Sequence, residues 1–208
     1  MSTDSIPSRV AEEIIAAGAF VAGRGWTPAT AGNLSERIDA TTRAITASGV
    51  DKGLLRSTDV LPYDLAANRV RGARASSAET ALHAERYQAD AAIGAVIHVH
   101  ARSATVVSML GGAGDAVRLE GYELVKALAG VRTHATGITV PIFANTQDMD
   151  GLAAAVRARL STVTPCFGYL LAGHGLYAWG ATMADALRHT EALEFLLGCE
   201  LERRRVER

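Results

Sequence analysis

One stretch limits the architecture of this chain more than any other: Ile93-Gly94-Ala95-Val96-Ile97-His98-Val99-His100. Its apolar, β-branched run reads as a buried strand. The run ends in two histidines separated by a single residue. Side chains alternate across a strand, so His98 and His100 point the same way, with Cα atoms roughly 6.5–7 Å apart. Two imidazoles at that spacing can converge on one metal ion; a pair of satisfied strand-end histidines is the alternative.

Helix and strand signals are intermixed around this run. Val10, Ile14, Ile15, Ala17 and Val21 recur at helical spacing and predict a helix over 9–24, with Ser5 or Ser8 as cap and Gly23, Gly25 and Pro28 as stop. Further helices are expected over 76–89, 101–110, 121–128, 149–160 and 182–203. Ser76 and Glu79 stand at capping-box spacing, and Gln147 or Asp148 caps the helix over 149–160. Residues 27–38 read as a loop entering a short strand. Other strands are expected over 44–47, 60–64, 138–143, 167–172 and 176–180, with a turn at 67–69 and a flexible loop at 111–114. This order describes one layered α/β domain with a mixed sheet, spanning 1–208 with its core at about 9–203.

At 208 residues the chain is long enough for one full hydrophobic core, and its net charge of −1 gives no reason to expect nucleic acid or an anionic membrane as partner. No apolar run reaches the length of a membrane span, and the polar start of the chain does not read as a secretory signal. Cys166 and Cys199 fit no metal or redox spacing and are expected as reduced thiols in the cytoplasm.

His174 is the natural third ligand, because the glycines on either side let the backbone project its ring into a site. Three neutral imidazoles with an open position describe a catalytic Zn²⁺ or similar divalent centre. His83 and His189 fall inside expected helices and His134 in a loop, so each reads as structural or solvent-exposed. Three small-residue loops can hold an anion: Ala31-Gly32-Asn33, Ser48-Gly49 and Ser76-Ser77, the last also preceding a helix, with Lys52 able to supply charge nearby. Together they suggest a phosphorylated substrate. Glu79 and Glu123 are the acid/base candidates, and spacing does not choose between them.

The series TAGNLS, ITASGVDKG, SSAET, VIHVHA and GHGLYAWG, in this order, resembles the class II (zinc-dependent) aldolase/epimerase/adducin superfamily. RGWTPATAGNLS, SGVDKG, LEGYELVKAL, VPIFANTQ and HGLYAWG are most similar to its sugar-phosphate dehydratases. The resemblance implies a three-layer fold, a mixed and largely antiparallel sheet between helical layers, assembled as a homotetramer with sites near subunit interfaces. It implies His98, His100 and His174 as ligands of one Zn²⁺ or other divalent ion per subunit. It places Asn33, Ser48, Gly49, Ser76 and Ser77 around the phosphate of a ketose, with Lys52 beside it. In the aldolases of the superfamily a glutamate matching Glu79 is the acid/base; in the dehydratases one matching Glu123 has that role. The implied activity is a dehydratase using Glu123, with a class II sugar-phosphate aldolase or pentulose-phosphate 4-epimerase as the alternative. A non-catalytic module like the adducin head implies degraded ligands, whereas all three histidines are present here.

Overall fold

The structure, a computed structural model, describes residues 6–111 and 116–207. Its strands are β1 (Asn33–Arg37), β2 (Thr42–Thr46), β3 (Val60–Asp64), β4 (Arg69–Val70), β5 (Ala95–Val99), β6 (Ala116–Leu119), β7 (Ile138–Phe143), β8 (Gly168–Leu171) and β9 (Gly175–Gly180). They form one sheet in the order β4-β3-β2-β1-β5-β9-β8-β7-β6. The β7–β8 pair is parallel and the other pairs are antiparallel, which gives the mixed, largely antiparallel sheet expected.

The expected run of β5 lies at the centre of this sheet and feeds two cores. Ala95, Ile97 and Val99 face a layer made by α1 (Ser8–Gly23), α3 (Arg102–Gly111) and α5 (Met183–Val206). Val96 faces the opposite layer, α2 (Thr80–Ala89) and α4 (Met149–Leu160), together with Tyr169, Tyr177 and Trp179. The same alternation sorts β9: Leu176 and Ala178 join the first core, Tyr177 and Trp179 the second. Full burial of one such aliphatic side chain contributes about 1.5–3 kcal/mol, so a strand apolar on both faces is stable only in this three-layer arrangement. His98 follows the parity of Val96 and faces the α2/α4 side.

Several boundaries differ from the expectations. Pro7 precedes α1, which starts at Ser8; Ser5 lies outside the described residues. Asp148 caps α4 by accepting from the Gly151 N–H at 3.0 Å, one of the two caps expected. α2 starts at Thr80 rather than Ser76, because Ser76 is drawn into a β-bridge with Ala47 and the Ser77 hydroxyl accepts from the Glu79 N–H. The Ser76–Glu79 capping box therefore does not form. The helix expected over 121–128 is only a 3-10 turn, Glu123–Ala127, with extended backbone at Tyr122 and Leu128. Val125 is buried in it and the Tyr122 hydroxyl donates to Glu200 on α5, so docking ends the turn before an α-helix can propagate. Two short strands were not expected: β4, where a turn was read, and β6, four residues that gain their order by pairing with β7. Of the loop expected over 111–114, only the backbone of Gly111 belongs to the described residues.

Gly94, at the entry to β5, is fixed by packing. Its N–H donates to the Gly180 carbonyl and its own carbonyl accepts from the Arg37 N–H, while a Cβ would overlap the Ala181 carbonyl. Gly94→Ala is expected to lower stability by about 1–3 kcal/mol through overpacking, read as a lower urea midpoint. An unchanged midpoint would contradict this packing.

Candidate metal centre

The site lies where β5 leaves the sheet. The register sets Asn33 opposite His98 and His98 opposite Tyr177, with Tyr177 opposite Tyr169 on the next strand. These residues line up across four strands on the α2/α4 face. The His98 ring stacks on Tyr177 with centroids 4.0 Å apart, and Tyr177 stacks on Tyr169 at 4.8 Å. His98 is thereby fully buried and fixed in plane.

The turn between β8 and β9 delivers His174, and its two glycines serve different purposes. Gly173 takes φ +67, a left-handed conformation that closes the turn, and the His174 N–H donates to the Leu171 carbonyl. Gly175 lies against the Val99 carbonyl, where a Cβ would clash, so the turn can approach the end of β5. The result is convergence. His98 Nε2 is 3.3 Å from His174 Nε2, which is 3.0 Å from His100 Nε2. Glu79 joins them, with Oε1 2.9 Å from His174 Nε2 and Oε2 3.6 Å from His98 Nε2. The four ligand atoms lie within 4.8 Å of one another.

This donor set fits a divalent cation. His98 Nδ1–H donates to the Leu176 carbonyl at 3.1 Å and His174 Nδ1–H to Asn145 Oδ1 at 3.2 Å, which turns both Nε2 lone pairs inward. Lone pairs facing one another need a cation or a shared proton between them. Ligands 2.0–2.1 Å from a tetrahedral ion stand roughly 3.3–3.4 Å apart, close to the spacing between the rings. Burial pushes the His98 and His100 imidazoles down, toward the neutral form that binds metal. Burial alone would push the Glu79 carboxyl up; a proton or cation on the facing His174 and His98 nitrogens, together with the Asn33 hydrogen bond, pulls it well below the usual carboxylate range.

A cleft of about 360 Å³ opens over the cluster, lined by residues 29–33 and 46–49, Lys52, Ser77 to Glu79, residues 145–147 and His174. Asn33, Ser48, Gly49, Lys52 and Ser77 are therefore brought together beside the expected ligands. Ser76 is not; it lines a neighbouring depression with Tyr63 and Asn68. Lys52 is buried, and its Nζ donates to the Thr30 and Val50 carbonyls at 2.7 and 2.6 Å, which ties the two loops together. One of its three N–H donors is left for an anion in the cleft, and desolvation lowers its pKa from the ordinary lysine value. Both ends of the Asn33 amide are engaged within the protein, with Glu79 and His83.

Glu123 is not at this cluster within the chain. It sits on the exposed 3-10 turn, paired with Lys126 and 3.6 Å from His134. His189 is structural, its ring bridging the Trp179 carbonyl and the Ala129 N–H. Sequence reasoning missed Asn145, Thr146 and Gln147, which follow β7 in the VPIFANTQ segment, and the buried His83 beneath Asn33. An Asn-Thr-Gln loop between a strand and a capped helix was the available signal.

Known proteins match this chain along nearly its whole length. A methylthioribulose-1-phosphate dehydratase from Marinobacter nauticus is 52% identical over 198 residues, covering 95% of each chain. Another from Pseudomonas syringae pv. syringae is 51% identical over 93% of this chain and 95% of its own. Among solved structures, an L-fuculose 1-phosphate aldolase superposes with a TM-score of 0.80 at 24% identity, over 98% of this chain and 90% of its own. The L-fuculose-1-phosphate aldolase from Thermus thermophilus gives 0.73 at 26% identity, over 96% and 97%. Residues 12–201 match the family described as Class II Aldolase and Adducin N-terminal domain, and the chain belongs to that family.

Proposed function

We propose that the chain is a zinc-dependent lyase that dehydrates 5-methylthioribulose 1-phosphate to 2,3-diketo-5-methylthiopentyl 1-phosphate, a step of methionine salvage in the cytoplasm. The observation that carries this reading is the Glu79, His98, His100 and His174 cluster in a chain half identical, over 95% of its length, to methylthioribulose-1-phosphate dehydratases. His98, His100 and His174 would hold a divalent ion, which would supply Lewis acidity at the substrate's oxygens.

The chain's own groups do the rest. Ser48, Gly49, Ser77 and the remaining Lys52 N–H receive the phosphate, a remote contact that orients the ketose over the cluster. A carboxylate takes the proton from C3, and its electron pair moves toward the C2 carbonyl. The C4 hydroxyl then leaves as water with a proton returned by the same carboxyl group, and the resulting enol ketonises with protonation at C4. Glu79 is the carboxylate that lies at the cluster within one chain, its Oε1 against His174 and its Oε2 accepting from the Asn33 amide. Glu123 enters this reading across a subunit interface: its turn is exposed, as is the neighbouring Leu124. A homotetramer is supported by exposed apolar residues on α3, Val106, Met109 and Leu110, with Met109 packed beside the Gly173 turn.

Aldol cleavage or epimerisation is the second reading, favoured by Glu79 touching His174. Product analysis separates them. Metal-loaded protein given methylthioribulose 1-phosphate is expected to yield a product lighter by one water with the carbon chain intact; a three-carbon ketose phosphate would make it an aldolase.

The two carboxylates are tested by mixing. Glu79→Gln and Glu123→Gln are each expected to lose about 10²–10⁴-fold in kcat, the range for an acid/base group. Subunits of the two inactive variants, dissociated and reassembled together, should regain up to about a quarter of wild-type activity if each site draws on two chains. No recovery on mixing would show that a site is built within one chain.

A further inference from the structure

His83 belongs to no ligand set, yet it is fully buried on α2 and its ring is hydrogen-bonded through both nitrogens. It stands in the middle of a file of polar groups beneath the cleft. Tyr87 Oη is 2.9 Å from Ser35 Oγ, and Ser35 Oγ is 2.7 Å from His83 Nδ1. His83 Nε2 is 2.5 Å from Asn33 Oδ1, and Asn33 Nδ2 is 2.8 Å from Glu79 Oε2. Tyr87, Ser35, His83 and Asn33 are all at least 97% buried, so water does not compete for these bonds.

The chemistry of the groups allows the file one direction. An ionised carboxylate only accepts, so Asn33 must present its NH₂ to Glu79 and its carbonyl to His83. That carbonyl requires a hydrogen on His83 Nε2. Burial pushes the ring's pKa down to about 4, so it is neutral at pH 7 and its Nδ1 is an acceptor. Ser35 then donates to Nδ1 and accepts from Tyr87. The far end is anchored as well, with the guanidinium groups of Arg43 and Arg37 standing 4.7 and 5.2 Å from the Tyr87 ring centroid. Turning the Asn33 amide over would set its carbonyl against the Glu79 carboxylate and its NH₂ against the His83 N–H.

We propose that His83 is a positioning residue: through Asn33 it fixes the orientation of the Glu79 carboxylate against His98 and His174. This rests on the reading of Glu79 as a working group of the site. A residue of this kind acts on the chemical step and little on substrate affinity, and removing such a support typically reduces activity about 10–100-fold. His83→Leu keeps the volume and removes both hydrogen bonds. It is expected to lower kcat of the metal-loaded enzyme by about 10–100-fold with KM within about threefold of wild type, and His83→Gln, which retains a donor toward Asn33, should recover much of the loss.

The decisive comparison is a double-mutant cycle. In an Asn33→Ala background, His83→Leu should cost almost nothing further, because the file is already cut. Losses that multiply, or a folded His83→Leu protein with wild-type kcat, would overturn the proposal. If His83→Leu does not fold, Tyr87→Phe removes one hydroxyl at the far end; it should lower kcat several-fold in wild type and not at all beside Asn33→Ala, and equal effects in both backgrounds would overturn the proposal. Nitrogen-15 NMR of the metal-loaded protein tests the file without turnover, and so does not depend on the substrate being correct. His83 is expected as the neutral Nε2–H form at pH 7, and an Nδ1–H ring would break the file.

Discussion

Everything at this site depends on three imidazole nitrogens and a carboxylate oxygen being held within 4.8 Å of one another at the end of a central strand. Neutral rings whose lone pairs face across 3.0–3.3 Å repel unless a cation or proton stands between them. The protein supports that arrangement with interactions that do not involve a ligand. The Leu176 carbonyl and Asn145 hold two rings by their Nδ1–H groups, Tyr177 stacks on the His98 ring, and a glycine lets the His174 turn close on the end of β5. Such preorganisation transfers the ordering cost from binding to folding.

The three-layer fold makes this possible. Alternation along β5 and β9 assigns aliphatic side chains to one helical layer and aromatic ones to the other, and the histidines inherit the aromatic side. The cluster therefore sits above a rigid stack of Tyr177 and Tyr169 with α2 beside it, while the loops that follow the strand ends supply the polar walls of the cleft. α2 carries Glu79 at its start and His83 one turn further in, so one helix brings a carboxylate to the histidine cluster and, through Asn33, supports it from below.

Much of this was legible in the residues because period-2 and glycine signals are local. The parity of His98 and His100 and the projection of His174 by its glycines follow from short-range backbone rules, whereas the grouping of the 32–33, 48–49 and 77 loops came from the resemblance to the family. What was not legible depended on partners distant in sequence. Ser76 lies outside the cleft, bridging Ala47, Lys52 directs two of its N–H groups to carbonyls, and the Asn33 amide is taken up by Glu79 and His83. The 121–128 segment has helical character but docks on α5 through Tyr122 and Val125, leaving Glu123 on an exposed turn away from its own chain's cluster. β6 was invisible because four residues gain strand order only from β7.

The most direct test of the central claim is a titration of metal-free protein with Zn²⁺, following bound metal and dehydratase turnover together. Turnover is expected to rise in proportion to bound metal and to saturate at about one ion per chain, with His98→Ala neither retaining the ion nor gaining activity. Full turnover in protein free of metal, or activity restored to His98→Ala at the wild-type stoichiometry, would contradict it.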